Sequence, residues 1–413
     1  MFQGTASDAG KSWLAAAVCR ILANRGLKVA PFKSQNMALN SFITDQGAEM
    51  GRAQVFQAEA ARVKPDVRMN PILLKPSTDS DSQVIVMGKV LTDMGAVDYY
   101  HYKKKLVPQI MAAYRQLAKH NDVMILEGAG SPAEINLNDN DIVNMGMAKM
   151  ANAPVILVAD IDKGGVFASI YGTIKLLPKA DQKRIKGIII NKFRGDKSLL
   201  EPGNRMIEKL TGVPVIGVLP MSDVDIDDED SVSLVRKPKQ KDSSKALDVA
   251  VIDLGKISNF TDVHSLEIQP DVSVRYVLKA EELGTPDLLI LPGSKNTNED
   301  LAALKDNGLA KAILRAHQDG AMVIGICGGF QILGRLLKDP NHVESPISTQ
   351  EGLGLLDTET IFNDQKTTTQ ALAKRGNYRL QGYEIHMGIT KLGPNATPFS
   401  TIVQTNGQPM QRE

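Results

Sequence analysis

The sequence predicts an α/β protein of two domains, each built on a parallel sheet. Three observations predict it. Short apolar runs alternate with segments of helical spacing, a Gly-rich loop opens the first helix, and the composition changes abruptly near the middle of the chain. In the first half, Val29–Phe32, Val123–Leu126, Val155–Val158, Gly187–Ile190 and Val215–Val218 read as strands buried on both faces. Trp13–Asn24 and Ala168–Leu177 carry the helical pattern. In the second half the strand series is Val249–Leu254, Val272–Val277, Leu288–Leu291 and Met322–Ile326. Strands alternating with helices imply βαβ units, whose crossovers cover both faces of a parallel sheet.

Between the two series, six of the eight residues in Asp223–Asp230 are acidic, and Arg236–Ala246 holds five basic residues and Pro238. Charge without periodicity reads as an exposed connection rather than a metal cluster. The expected domains are therefore 1–231 and 248–413, joined by a linker over 232–247.

Composition narrows the function. The 413 residues are 43% hydrophobic and 23% charged, with a net charge of +1. No global field recruits nucleic acid or a membrane surface. No apolar run reaches the roughly 18 residues of a membrane helix, and no leader precedes the motif that starts at Gly4. Cys19 and Cys327 form no CxxC pair, which fits a reducing cytoplasm rather than a disulfide framework or a zinc site.

The run Gly4-Thr5-Ala6-Ser7-Asp8-Ala9-Gly10-Lys11-Ser12 has the chemistry of a phosphate loop. Backbone N–H groups and the positive end of the helix cradle phosphates, Lys11 neutralises their charge, and the Ser12 hydroxyl suits Mg²⁺. Five residues rather than four separate Gly4 from Gly10-Lys11. That spacing resembles the dethiobiotin synthetase and cobyrinate synthase group of P-loop enzymes, which activate a carboxylate with ATP. Lys33, after the strand Val29–Phe32, is a second candidate cation. Glu127, at the C-terminal end of Val123–Leu126 and before Gly128-Ala129-Gly130, is a candidate Mg²⁺ ligand where open α/β sheets bind ligands. Glu49 is a further metal candidate.

Met322–Ile326 runs into Cys327-Gly328-Gly329 and an expected helix over Phe330–Leu337. A sharp strand-to-helix turn exposes a nucleophile, and a helix N-terminus lowers a thiol's pKa. The flanking glycines leave room for a substrate amide. Leu291-Pro292-Gly293-Ser294 ends a neighbouring strand, so the amides of Gly293, Ser294 and Gly328 are candidate oxyanion donors.

Together these motifs resemble the glutamine-hydrolysing cobyric acid synthase family, of the CobB/CobQ group, from Met1 to about Thr390. The resemblance is carried by the phosphate loop, Asn70-Pro71-Ile72-Leu73-Leu74-Lys75-Pro76, Glu127-Gly128-Ala129-Gly130-Ser131-Pro132 and Asn136-Leu137 with Asp141-Ile142-Val143-Asn144-Met145. It continues through Asp160-Ile161-Asp162-Lys163-Gly164-Gly165-Val166-Phe167, Gly293–Thr297, the Cys327 turn and Gly382-Tyr383-Glu384-Ile385-His386-Met387-Gly388. It implies a P-loop synthetase domain followed by a class I glutamine amidotransferase-like α/β domain. It also implies ATP and Mg²⁺ as cofactors, with glutamine and a corrinoid polycarboxylic acid as substrates. The implied reaction is ATP-driven amidation of the b, d, e and g carboxylates of adenosylcobyrinic acid a,c-diamide, with ammonia released at Cys327. Asp160 and Asp162 would face the acceptor or metal, with a strand-end turn as their structural alternative. Asn136, Asp141 and Asn144 have helix capping as theirs.

Two other readings compete: cobyrinate a,c-diamide synthase, and a P-loop regulatory ATPase with a decayed glutaminase domain. The resemblance places the family's catalytic histidine in a His-Gly segment beyond the motif that contains His386. This chain reaches Glu413 without such a segment, and only Met1-Phe2-Gln3 precede Gly4. The expectation is a trimmed chain, or a variant with impaired glutaminase, in which His386 is the one histidine of the right neighbourhood.

Overall fold

The computed structural model describes residues 1–77, 80–222, 224 and 237–412. The acidic run Asp223–Asp230 (apart from Val224) and the first part of the expected linker lie outside the described residues. Two compact units emerge. One comprises Met1–Met37 and Met50–Asp227, the other Ala38–Glu49 and Asp228–Glu413.

In the first unit, Phe2–Gly4, Val155–Asp160, Ile185–Phe193 and Val215–Pro220 form a parallel sheet in that order. Val29–Phe32 pairs in parallel with Val123–Leu126, and a bridge from Phe2 to Glu127 joins this pair to the sheet. Alternation along Val155–Asp160 explains its burial. Leu157 and Ala159 enter a core with Val166, Ile170 and Ile174 of the helix Val166–Leu176. Val158 enters another with Leu14, Ala15 and Cys19 of the helix Lys11–Asn24. Both faces are apolar because both are covered. A separate sheet pairs Gln35–Met37, Ile72–Pro76, Asp81–Val86 and Lys89–Gly95.

The second unit repeats the logic. Val272–Val277, Leu247–Ile252, Leu288–Leu291 and Met322–Gly325 form a parallel sheet in that order. Ala250 and Ile252 face one core while Val249 and Val251 face another. Within this sheet Arg275 is nearly buried. It meets Asp248 through Nε at 2.9 Å and Nη2 at 3.1 Å, and it donates to the carbonyls of Glu282 and Leu283. Further along the chain, Tyr378–His386, Thr367–Arg375, Thr401–Thr405 and Gln408–Arg412 make an antiparallel sheet.

Two departures from expectation have clear causes. The helix after Cys327 covers Gly328–Leu333, not Phe330–Leu337. Gly334 is extended at φ −64°, ψ 179°, and Leu336–Lys338 becomes a strand paired with Thr349–Glu351 and Thr358–Ile361. Cross-strand pairing overrides the helical pattern there, and a Cβ on Gly334 would lie 2.7 Å from Thr358 Oγ1. The second departure is the segment 38–49, which groups with the second unit although it lies early in the chain.

Replacing Arg275 with Met should strand the Asp248 carboxylate and cost about 3–5 kcal/mol of stability. Denaturant unfolding of R275M beside the charge-free pair D248N/R275M checks this. The double variant should recover part of the loss, and equal stability of all three chains would contradict it.

Candidate functional site

The first site grows from the C-terminal ends of the parallel strands. Residues 6–8 of the Gly-rich loop are exposed, while Ala9 is buried. Thr5 N donates to Val158 O at 2.9 Å, anchoring the loop to the sheet. Asp8 (φ 56°) and Gly10 (φ 95°) both take left-handed backbone, which an Asp tolerates and a Gly adopts freely. Lys11 Nζ curls back to Ala6 O at 3.0 Å. The loop is clamped from a neighbouring strand end. Asn191 Nδ2 donates to Ala9 O at 3.0 Å, and Lys192 Nζ donates to Asp8 O at 2.6 Å and to Asp160 Oδ2 at 2.8 Å.

Glu127 is 1% exposed and gathers three chain segments. Its Oε1 accepts from Ser12 Oγ at 2.8 Å and from Lys33 Nζ at 2.9 Å, and its Oε2 accepts from Gln57 Nε2 at 2.5 Å. Gln57 Oε1 is buried with no hydrogen-bond partner among the described residues. Asn144 Oδ1 and Nδ2 hold both backbone groups of Ala129, fixing the turn after Glu127. Asp141 caps the next helix by accepting from the amides of Val143, Asn144 and Gly146.

Of the predicted residues, the structure brings Ser12, Lys33 and Glu127 together beside the loop. Glu49 groups with the second unit, where its Oε2 accepts from Lys366 Nζ at 2.6 Å. Asp160 and Asp162 stand at and just after the end of the strand Val155–Asp160. Asp160 Oδ1 accepts from the Asp162 amide at 2.9 Å, and Asp162 Oδ1 accepts from Arg194 Nε at 3.1 Å. Sequence reasoning missed Gln57, Asn191 and Lys192. The Asn-Lys pair had a readable signal, two polar residues ending the apolar run Gly187–Ile190. Gln57, within a helix, had none.

The second site centres on Cys327, which is exposed, whereas Cys19 is buried. Burial, aided by the charge of Glu127, pushes the Cys19 thiol up to about 12, which leaves it inert. Cys327 sits at φ 50°, ψ −111°, a strained conformation that a non-glycine residue holds only when its surroundings enforce it. Close packing around the two following glycines enforces it. A Cβ on Gly329 would lie 2.0 Å from Leu291 O, and one on Gly328 would lie 2.7 Å from Ser294 Cβ. The glycines therefore allow the turn to seat against the loop 291–294. That packing also sets the Gly328 turn directly against Ser294.

A cavity of about 430 Å³ opens on Cys327 and is lined by Gly293, Asn259, Tyr383, Glu384 and His386, among others. The Cys327 thiol donates to Ile385 O at 3.2 Å. His386 Nδ1 lies 3.2 Å from Gly388 O and its Nε2 lies 3.6 Å from Glu384 Oε1. Burial raises the Glu384 pKa, but hydrogen bonds from His386, Arg412 and Thr369 outweigh it and hold the carboxyl down at about 2. Beneath the loop 293–297, Ser294 Oγ donates to Asp300 at 2.5 Å and the Thr297 amide donates to Glu344 at 3.1 Å. Desolvation raises Asp300 to about 6 and Glu344 to about 7.

Residues 1–232 match the CobQ/CobB/MinD/ParA nucleotide binding domain, and residues 248–413 match the CobB/CobQ-like glutamine amidotransferase domain. A cobyric acid synthase of Limosilactobacillus reuteri (strain DSM 20016) is 81% identical over 413 residues, all of this chain and 82% of the relative. The chain belongs to the cobyric acid synthase family. Other members are the cobyric acid synthases of Streptococcus sanguinis (strain SK36), at 61% over 412 residues covering 100% of this chain and 83% of the relative, and of Listeria innocua serovar 6a, at 62% over 408 residues covering 98% and 80%. As a family member the chain is a glutamine-hydrolysing amide ligase with a nucleotide-binding domain. The regulatory ATPase and the a,c-diamide synthase are the less favoured readings. No helix among the described residues is long and apolar enough to cross a membrane.

The raised carboxyls predict a pH dependence. Glu344 and Asp300 bind protons more tightly folded (about 7 and 6) than at their ordinary values of 4.5 and 3.8. Their contribution is complete below about pH 4 and is lost as pH rises through 7. Glu384 acts oppositely, stabilising above 4.5 and losing that contribution as pH falls through about 2. Of these three carboxyls, only the first pair titrates above pH 4.5. The Tm of the second unit should fall from pH 5 to 7.5, and Glu344→Gln should flatten that slope. An unchanged slope would contradict the assignment.

Proposed function

We propose that this chain amidates the b, d, e and g carboxylates of adenosylcobyrinic acid a,c-diamide, using ATP and nitrogen taken from glutamine, in the cytoplasm. We assign 1–231 to the synthetase and 248–413 to the amidotransferase. The observation that carries the reading is the strained, exposed Cys327 turn in a chain that also holds a Glu127-centred phosphate loop.

At the synthetase site the loop amides of Gly4–Gly10 and Lys11 bind the ATP phosphates, and Lys33 adds a second positive charge. Ser12 Oγ and Glu127 Oε1, 2.8 Å apart, are hard oxygen donors that fit Mg²⁺, which takes few protein ligands and completes its shell with phosphate and water. When bound, Mg²⁺ neutralises charge on the phosphates. The acceptor carboxylate attacks the γ-phosphorus and ADP leaves. Ammonia then adds to the acyl phosphate, phosphate departs, and the amide remains.

At the glutaminase site the Cys327 sulfur attacks the glutamine carboxamide carbon, and the amides of Gly328 and of Gly293–Ser294 stabilise the oxyanion. Ammonia leaves, and water hydrolyses the thioester to glutamate. Local release raises the effective concentration of NH₃. His386 shares the cavity with Cys327, and its ring nitrogens meet Gly388 O and Glu384 Oε1.

Cys327→Ser should abolish synthesis from glutamine yet leave synthesis from ammonium largely intact, measured as corrinoid mass change per amide formed. Lys11→Ala and Glu127→Ala should each remove synthesis from either nitrogen source, because both act before ammonia is needed. Normal ammonium-driven turnover in either loop variant would place the nucleotide site elsewhere.

A further inference from the structure

The wall of the Cys327 cavity is fastened to a part of the chain that lies more than 200 residues earlier in sequence. The segment 38–49 belongs to the second unit, and its chain turns back at Thr44, whose amide donates to Ala48 O at 2.9 Å. Leu39, Ser41 and Ile43 are buried there. Ser41, Asn259 and Tyr383 close a ring of hydrogen bonds. Ser41 N donates to Asn259 Oδ1 at 3.0 Å, Asn259 Nδ2 donates to the Tyr383 hydroxyl at 3.4 Å, and that hydroxyl donates to Ser41 O at 3.2 Å. The Phe42 ring meets the Tyr383 ring edge-on, with centroids 5.3 Å apart. Elsewhere the segment is tied by Thr368 Oγ1 to Gly47 O at 3.0 Å and by the Lys366–Glu49 ion pair.

Asn259 and Tyr383 both line the cavity. Neither stands alone. Asn259 is held at φ 54°, a conformation that the hydrogen bond its Oδ1 accepts from Ser41 N helps to select. Tyr383 lies two residues before Ile385, whose carbonyl meets the Cys327 thiol, so the pose of this strand sets the space beside the sulfur. We infer that Asn259 and Tyr383 are positioning residues for glutamine, set in place by the hairpin 38–49. On this view the amidotransferase region 248–413 does not by itself contain a complete glutamine pocket. The inference rests on the reading of Cys327 as the glutaminase nucleophile.

The test is protection of Cys327 from iodoacetamide by glutamine in the full chain, followed by peptide mass spectrometry. It reports glutamine binding without turnover, and the buried Cys19 serves as the internal control. Tyr383→Phe removes two bonds of the ring and keeps the aromatic contact. Phe42→Ala removes that contact and leaves the cavity lining intact. Each should raise the half-protecting glutamine concentration by about 5–10-fold, the effect of one lost hydrogen bond or ring contact. The unprotected alkylation rate of Cys327 should stay within about two-fold, a result that general unfolding would not give. Phe42→Tyr should restore tight protection. Unchanged protection in both Tyr383→Phe and Phe42→Ala would overturn the inference and leave the nucleophile reading standing. Absence of any protection by glutamine in the unaltered chain would overturn both.

Discussion

A carboxylate that is 1% exposed must be neutralised and hydrogen-bonded where it lies. Glu127 meets that constraint by drawing on Ser12 from the loop helix, Lys33 from the end of the second strand and Gln57 from a helix. None of these segments is close to Glu127 in sequence, so the carboxylate sets their register around the phosphate loop. The same logic extends outward. Asn144 fixes the turn after Glu127, while Asn191 and Lys192 fix the loop from a neighbouring strand end. A loop held by its carbonyls keeps its exposed amides directed outward, where an anion can use them.

The second unit solves a different problem with the same strand-end geometry. A nucleophile must be reachable, yet its backbone must be held in an unfavourable conformation. The Cys327 turn achieves this by backbone packing. Gly328 and Gly329 let the chain press on Leu291, Pro292 and Ser294, where any side chain would clash. The contrast with Cys19 is instructive. Its thiol is buried in the first core and raised to about 12, so one cysteine is suited to chemistry and the other to packing.

Much of this was legible in the sequence because parallel strands announce themselves. Val29–Phe32, Val272–Val277 and Leu288–Leu291 are observed with the boundaries that their apolar runs suggest. Gly10-Lys11-Ser12 and Cys327-Gly328-Gly329 carried their chemistry in residue type and spacing. What remained hidden depends on distant contacts. The strand Leu336–Lys338 follows from its pairing partners, against its helical pattern. The pairing of the Glu49 carboxylate with Lys366, 317 residues later, had no local signal either. Gln57 has no local signature, and its role appears only when the Glu127 carboxylate is in view. The glycines of the Cys327 turn also face the protein itself, Gly329 against Leu291 O and Gly328 against Ser294, a packing role that residue type alone does not show.

The central claim is that one chain carries both a nitrogen-releasing thiol and a carboxylate-activating phosphate loop. The most direct measurement supplies the protein with ATP, Mg²⁺, a corrinoid polycarboxylic acid and glutamine labelled with ¹⁵N at the amide. The account predicts that label enters the corrinoid amides in step with ATP hydrolysis, and that pre-alkylation of Cys327 removes the label while added ammonium still yields amide. Label that enters equally after Cys327 is blocked, or amide formed without ATP, would contradict it.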